Sequence, residues 1–113
     1  MKDVVCTRDV TGALACSVPR RHRHHSPGGF EIGYGGSGPA DLALNVLAAA
    51  LPLRAGQEGV RLWDGTRVSN AAWDLHQAFA DAFLAPLPRA GGTIAGAVVE
   101  AWIVAKQAPG EET

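Results

Sequence analysis

Phe30-Glu31-Ile32-Gly33-Tyr34-Gly35-Gly36-Ser37-Gly38-Pro39-Ala40-Asp41-Leu42-Ala43-Leu44-Asn45-Val46-Leu47 places a strand signal directly before a helix signal. Phe30, Ile32 and Tyr34 alternate with other residues, which predicts a short strand carrying all three on one face. The glycines then end that pattern. Pro39 suits a first helical turn, where a missing N–H is no loss. Gly38 is the expected N-cap, and Asp41 the third helical residue, where a carboxylate meets the positive end of the helix dipole. Leu42, Leu44, Val46, Leu47, Ala50 and Leu51 cover most of the helix surface, so the helix is expected to be largely buried and to end at Pro52.

Towards the N-terminus, residues 3–7 and 13–18 read as a hairpin joined by the turn Asp9-Val10-Thr11-Gly12. Between it and the quoted stretch lies a loop by composition, Pro19-Arg20-Arg21-His22-Arg23-His24-His25-Ser26-Pro27-Gly28-Gly29. Towards the C-terminus, Asp64-Gly65 between the alternating runs 60–63 and 66–68 is a strong hairpin signal. Ser69 caps a predicted helix from Asn70 to about Leu84, with Ala72, Trp73, Leu75, His76, Phe79, Ala80 and Phe83 on its apolar stripe. Thr93 is the expected cap of a last helix, with Ile94, Ala97, Val98, Ala101, Trp102 and Ala105 facing the core. The fold class that follows is α+β: a small antiparallel sheet of hairpins packed against about three helices. The expected organisation is a single domain over 1–113, with 108–113 a loose tail.

The composition sets limits. At 113 residues the chain is long enough to bury a core without staples. A hydrophobic fraction of 47% against 19% charged excludes a disordered chain. The net charge of −1 gives no global attraction to nucleic acid or anionic lipid, so direct nucleic-acid binding and membrane association are not expected. Cys6 and Cys16 are too few for a disulfide framework. They could face each other if each lies on a strand of the first hairpin, but are expected to be reduced. The opening Met1-Lys2-Asp3-Val4-Val5 lacks the apolar core of a signal peptide, and 40–53 is too short and too interrupted to span a bilayer, so a cytoplasmic address is expected.

The segment His25-Ser26-Pro27-Gly28-Gly29-Phe30-Glu31-Ile32-Gly33-Tyr34-Gly35-Gly36-Ser37-Gly38-Pro39-Ala40-Asp41-Leu42-Ala43-Leu44 resembles a family of small uncharacterised bacterial and phage proteins. Their shared pattern is close to H-S-P-x-G-F-x-x-G-Y-G-G-S-G-P-A-x-L-A-L. Ile32 departs from it where many relatives carry an aromatic. The resemblance implies an accessory protein of a phage or other mobile element, and such proteins commonly act by binding host machinery.

Four groups of residues are candidates for chemistry. Gly35, Gly36 and Ser37 precede a helix and could cradle an anion, although the sequence has neither a Walker lysine nor G-x-G-x-x-G spacing. A tight structural turn is the plainer reading. Arg20, Arg21, Arg23, His24 and His25 concentrate positive charge in a loop that reads as solvated. Adjacent His24 and His25 are expected to point apart, and the arginines between the histidines oppose a cation, so no metal or cofactor is expected. His25 is expected to fix the glycine-rich turn by a hydrogen bond. Asn45, inside an apolar helix, is expected to satisfy a loop carbonyl, or to hold a ligand beside that turn. His76 reads as a buried, hydrogen-bonded core residue. No nucleophile–base–orienter set is legible, so no catalytic residue is named.

The expected function is therefore non-enzymatic: an accessory protein that binds a host protein or complex, with an inhibitor of a bacterial defence system of anti-CRISPR type as its sharpest form. A small-ligand or nucleotide-binding domain using the glycine-rich turn is the alternative from another class. A structural subunit of a larger assembly is the third.

Overall fold

A computed structural model describes residues 1–108. The part of the expected loose tail beyond 108 lies outside the described residues. The architecture is α+β. Strands β1 (Val4–Arg8) and β2 (Leu14–Cys16) form the expected first hairpin. Asp9 makes its turn by accepting at one carboxylate oxygen from the backbone N–H of Thr11 and Ala13 and from the Thr11 hydroxyl. Gly12, at φ +89°, supplies the left-handed residue.

Helix α1 (Ser37–Ala50) lies at the centre of the fold, with every residue from Gly38 to Leu47 buried. It begins earlier than expected. Gly36 is the N-cap, so Asp41 stands beyond the first turn and its carboxylate is free for another partner. The segment Phe30–Tyr34 joins no ladder. Gly33 turns to φ +86° and donates its N–H to the Leu84 carbonyl, which interrupts the alternation after Ile32. Ile32 is fully buried, while Tyr34 is exposed. Arg8 ties this segment to β1 through paired bonds to the Glu31 carboxylate, at 2.7 and 3.1 Å. That pairing holds the Glu31 carboxyl below the usual carboxylate range.

The second hairpin is β3 (Val60–Arg61) with β4 (Arg67–Val68), turning at Gly65 (φ +86°). Helix α2 (Asn70–Phe79) starts where Ser69 accepts from the Ala72 N–H and continues through a π-helical turn, Ala80–Leu84. Ala72, His76, Phe79, Ala80 and Leu84 of this run are buried, and α1 packs against both parts.

Two expectations at the C-terminal end are corrected. Thr93 is not a helix cap but part of β5 (Gly91–Ile94), which pairs antiparallel with β1 and completes the sheet order β2-β1-β5. Glycine is required there: at Gly91, with φ +130°, a Cβ would stand 2.3 Å from the Cys6 carbonyl oxygen. The N-terminus of α3 (Gly96–Gln107) is served from a distance, by Asp3 accepting the Gly96 N–H at 2.9 Å. The buried residues of α3 are Gly96, Val99 and Ile103, with Trp102 partly covered by Phe79 and Phe83. Ala97, Val98, Ala101 and Ala105 are exposed, so the helix is rotated from the expected orientation. Among the described residues no helix is long and apolar enough to cross a membrane.

Candidate functional site

The arginine- and histidine-rich loop is not simply solvated. It is held from three sides, through its backbone by α1 and the β3–β4 hairpin and through a side chain by α2. From α1, the fully buried carboxylate of Asp41 accepts the N–H groups of His24 (3.2 Å), His25 (2.8 Å) and Ser26 (3.0 Å). One helical turn further on, Asn45 Oδ1 accepts the N–H groups of Arg21 and His22, both at 2.9 Å. Asn45 Nδ2 donates to the carbonyls of His22 (2.9 Å) and Asp41 (2.8 Å). The i, i+4 spacing puts both side chains on one helix face, where together they accept from five backbone N–H groups of the loop. Asn45 thus does satisfy a loop carbonyl, and Asp41 is a residue whose role was hidden in the sequence. A buried carboxylate in an apolar helix was the available signal.

The β3–β4 hairpin holds the loop from a second side. Arg23 and Asp64 exchange backbone contacts, with the Arg23 N–H donating to the Asp64 carboxylate at 3.0 Å and the Asp64 N–H to the Arg23 carbonyl at 3.2 Å. The Trp63 N–H donates to His24 Nδ1 at 2.9 Å. The Thr66 hydroxyl donates to Asp64 at 2.6 Å, so His22 Nδ1, 2.8 Å away, is the donor to Thr66. A histidine that donates to this hydroxyl cannot act as its base. Burial pushes the His22 pKa down, against the pull of Asp64.

From α2 the contact is histidine to histidine. His76 Nδ1 stands 2.5 Å from the Trp73 carbonyl, which can only accept, so this nitrogen carries the proton. His76 Nε2 is then the acceptor, and His25 Nε2, 2.9 Å away, donates to it. His24 packs edge-on against His25 and Trp73, at centroid distances of 4.7 and 5.1 Å, and the hydrogen-bonded His25 and His76 rings lie within 26° of parallel with centroids 5.1 Å apart. The two adjacent histidines therefore converge instead of pointing apart, because Asp41 bends the backbone between them. His25 serves α2 and not the glycine-rich turn. Burial lowers the pKa of both His25 and His76.

What this framework leaves outside is specific. Arg20 is spent on structure, its guanidinium donating to the carbonyls of Ser26 (2.6 Å) and Pro27 (3.1 Å). Arg21 and Arg23 are exposed. Trp63, a residue that sequence reasoning left in the hairpin, is 73% exposed. It lines a surface recess of about 280 Å³ with Arg23, His24, Ser26 and Pro27.

The glycine-rich turn is elsewhere. Gly35, Gly36 and Ser37 are exposed and none lines this recess. None of Gly35, Gly36 and Gly38 is in the left-handed region; Gly33 alone in this turn is. Gly38 is required by contact, since a Cβ there would stand 2.6 Å from Glu31 Cβ. A larger recess of about 550 Å³, lined by Leu53, Arg54, Ser69 and Asn70 among others, contains no candidate residue. Among the described residues no group of three His, Cys, Asp or Glu side chains is placed to hold a metal ion, and no hydrogen bond joins a serine or cysteine side chain to a histidine ring.

Fold and site together define a small α+β protein whose most elaborate feature is a pinned, basic surface loop. The chain belongs to the DUF6166 family, a family of unknown function whose pattern matches residues 2–62. That span contains β1, β2, the loop and the Asp41–Asn45 clamp, and stops just before Trp63. No curated protein and no solved structure matches the chain.

Proposed function

We propose that this protein is a non-enzymatic binding module that docks on an acidic surface of a host protein through Arg21, Arg23, Pro27 and Trp63. The observation that carries this reading is the exposed indole of Trp63 beside Arg23. Tryptophan and arginine are the residue types that dominate binding hot spots, and here both sit on backbone already fixed by hydrogen bonds. A pre-ordered surface avoids much of the entropy cost of docking. The same hairpin carries Arg61 and Arg67 directly opposite each other. Like charges across a ladder are unfavourable alone and favour an acidic partner. The finer reading, a mobile-element accessory protein that restrains a host defence system, rests on the resemblance of 25–44 and on the size of the chain.

The test is affinity capture from bacterial lysate with the wild type and with an Arg21→Ala, Arg23→Ala, Trp63→Ala variant, both checked for folding by circular dichroism. Arg20 is kept, since its loss would disturb the loop itself. A protein enriched by the wild type, lost with the variant and released by moderate salt is the expected result. An identical capture profile for both proteins would rule this surface out.

A further inference from the structure

Independently of the docking surface, the first hairpin brings together its two cysteines. Cys6 and Cys16 are direct partners across β1 and β2, with Sγ atoms 3.0 Å apart, and both are free thiols. The neighbouring pair Val5 and Ser17 is joined by the Ser17 N–H to the Val5 carbonyl at 2.8 Å. Alternation along the ladder makes 6 and 16 a non-hydrogen-bonded pair, the type in which side chains approach most closely. Their accessibility is unequal. Cys6 is 2% exposed and belongs to the core, whereas Cys16 is half-buried and lines a surface recess of about 520 Å³ with Leu14, Val18, Gly28 and Phe30.

We propose that Cys6 and Cys16 are a redox-active dithiol that exchanges with low-molecular-weight disulfides, Cys16 receiving the oxidant and Cys6 closing the bond. The Cys16 thiolate attacks a small disulfide RSSR, forming Cys16–S–SR and releasing one RS⁻. The Cys6 thiolate then attacks Cys16 Sγ, forming the Cys6–Cys16 disulfide and releasing the second RS⁻. The two protein thiols give up two protons and two electrons, and RSSR becomes two RSH once those protons are taken up. The two Sγ atoms are in hydrogen-bond contact, so the thiolate left by the first deprotonation of the pair is stabilised by the remaining S–H, and that proton passes to Cys6 Sγ as Cys16, the accessible sulfur, attacks. The oxidised hairpin is a closed link between β1 and β2, formed with little backbone motion because the strands are already in register.

The deciding experiment treats the wild-type protein with glutathione disulfide, quenches in acid, alkylates and measures intact mass, with peptide mapping. The expected product is lighter by two hydrogens, resists alkylation and holds no glutathione. Cys6→Ala should keep one glutathione on Cys16, and Cys16→Ala should react about tenfold more slowly or less, because Cys6 is buried. Melting curves confirm that each variant is folded. Wild-type protein that retains a glutathione adduct, or keeps both thiols open to alkylation, overturns the proposal. So does a folded Cys16→Ala variant that reacts as fast as wild type.

Discussion

His25 Nε2 donates to His76 Nε2 across 2.9 Å, joining a surface loop to the buried face of α2 through two uncharged imidazoles. This donor–acceptor direction requires His76 Nε2 to be unprotonated, since its Nδ1 proton is already given to the Trp73 carbonyl. Adding a proton there turns an acceptor into a donor that faces another donor.

This bond makes stability depend on pH with a defined sign. Burial lowers the pKa of His22, His25 and His76 in the folded state. The unfolded chain, with ordinary histidines near about 6.5, therefore binds more protons below that pH. The contribution is complete above about 6.5 and is lost progressively as pH falls from there through the folded pKa values. Melting temperature should be flat from pH 8 to 7 and fall below 6.5. In His76→Gln the fall between pH 6.5 and 5 should be shallower, even if the variant starts lower. Equal slopes would mean that His76 is not part of the acid response.

The Asp41 carboxylate should be worth more than its volume. Asp41→Asn keeps the shape but points an amide N–H towards the N–H groups of the loop, and should cost about 2–4 kcal/mol in urea denaturation at pH 7. Asn45→Ala leaves the His22 N–H without its acceptor and the Arg21 N–H with the Pro19 carbonyl alone, and should cost about 1–3 kcal/mol. Arg23→Ala, at an exposed position, should change stability by less than about 0.5 kcal/mol. An Asp41→Asn protein as stable as wild type would show that the loop is anchored elsewhere.

The glycines of 33–38 should differ in tolerance, in an order set by geometry. Gly33→Ala strains a residue at φ +86° and presses on the Leu87 carbonyl oxygen, 3.3 Å from the new Cβ, so a loss of about 1–2 kcal/mol is expected. Gly38→Ala meets Glu31 Cβ at 2.6 Å and the Glu31 backbone nitrogen at 3.0 Å, and should cost more than about 1 kcal/mol. At Gly36 the backbone is extended and the new methyl meets only the ring of exposed Tyr34, which can swing aside, so the cost should stay below about 1 kcal/mol. Gly35→Ala meets nothing within 4 Å and should be the mildest. Thermal melts of the four single variants check this order, and a Gly36→Ala protein less stable than Gly38→Ala would contradict it.

The sequence by itself determined the parts of this protein that short-range patterns encode. The spacing of Leu42, Leu44, Val46 and Leu47 announced a buried helix, and Asp64-Gly65 and Asp9 to Gly12 announced their turns, because period and turn chemistry act within a few residues. Ser69 was legible as a cap for the same reason. Tertiary structure alone decided the rest. Gly91-Gly92 carries no strand propensity, and becomes β5 only because β1 offers a free edge that approaches too closely for a side chain. Thr93 was mistaken for a cap because the acceptor that serves Gly96 belongs to Asp3, far away in the chain. The site divides in the same way. Arg21 and Arg23 were visible as charge, but the Asp41 and Asn45 clamp, the His25–His76 bond and the place of Trp63 depend on which distant backbone donors are buried together. Buried polar groups take whichever partner the packed fold brings within reach, and no periodicity along the chain records that choice.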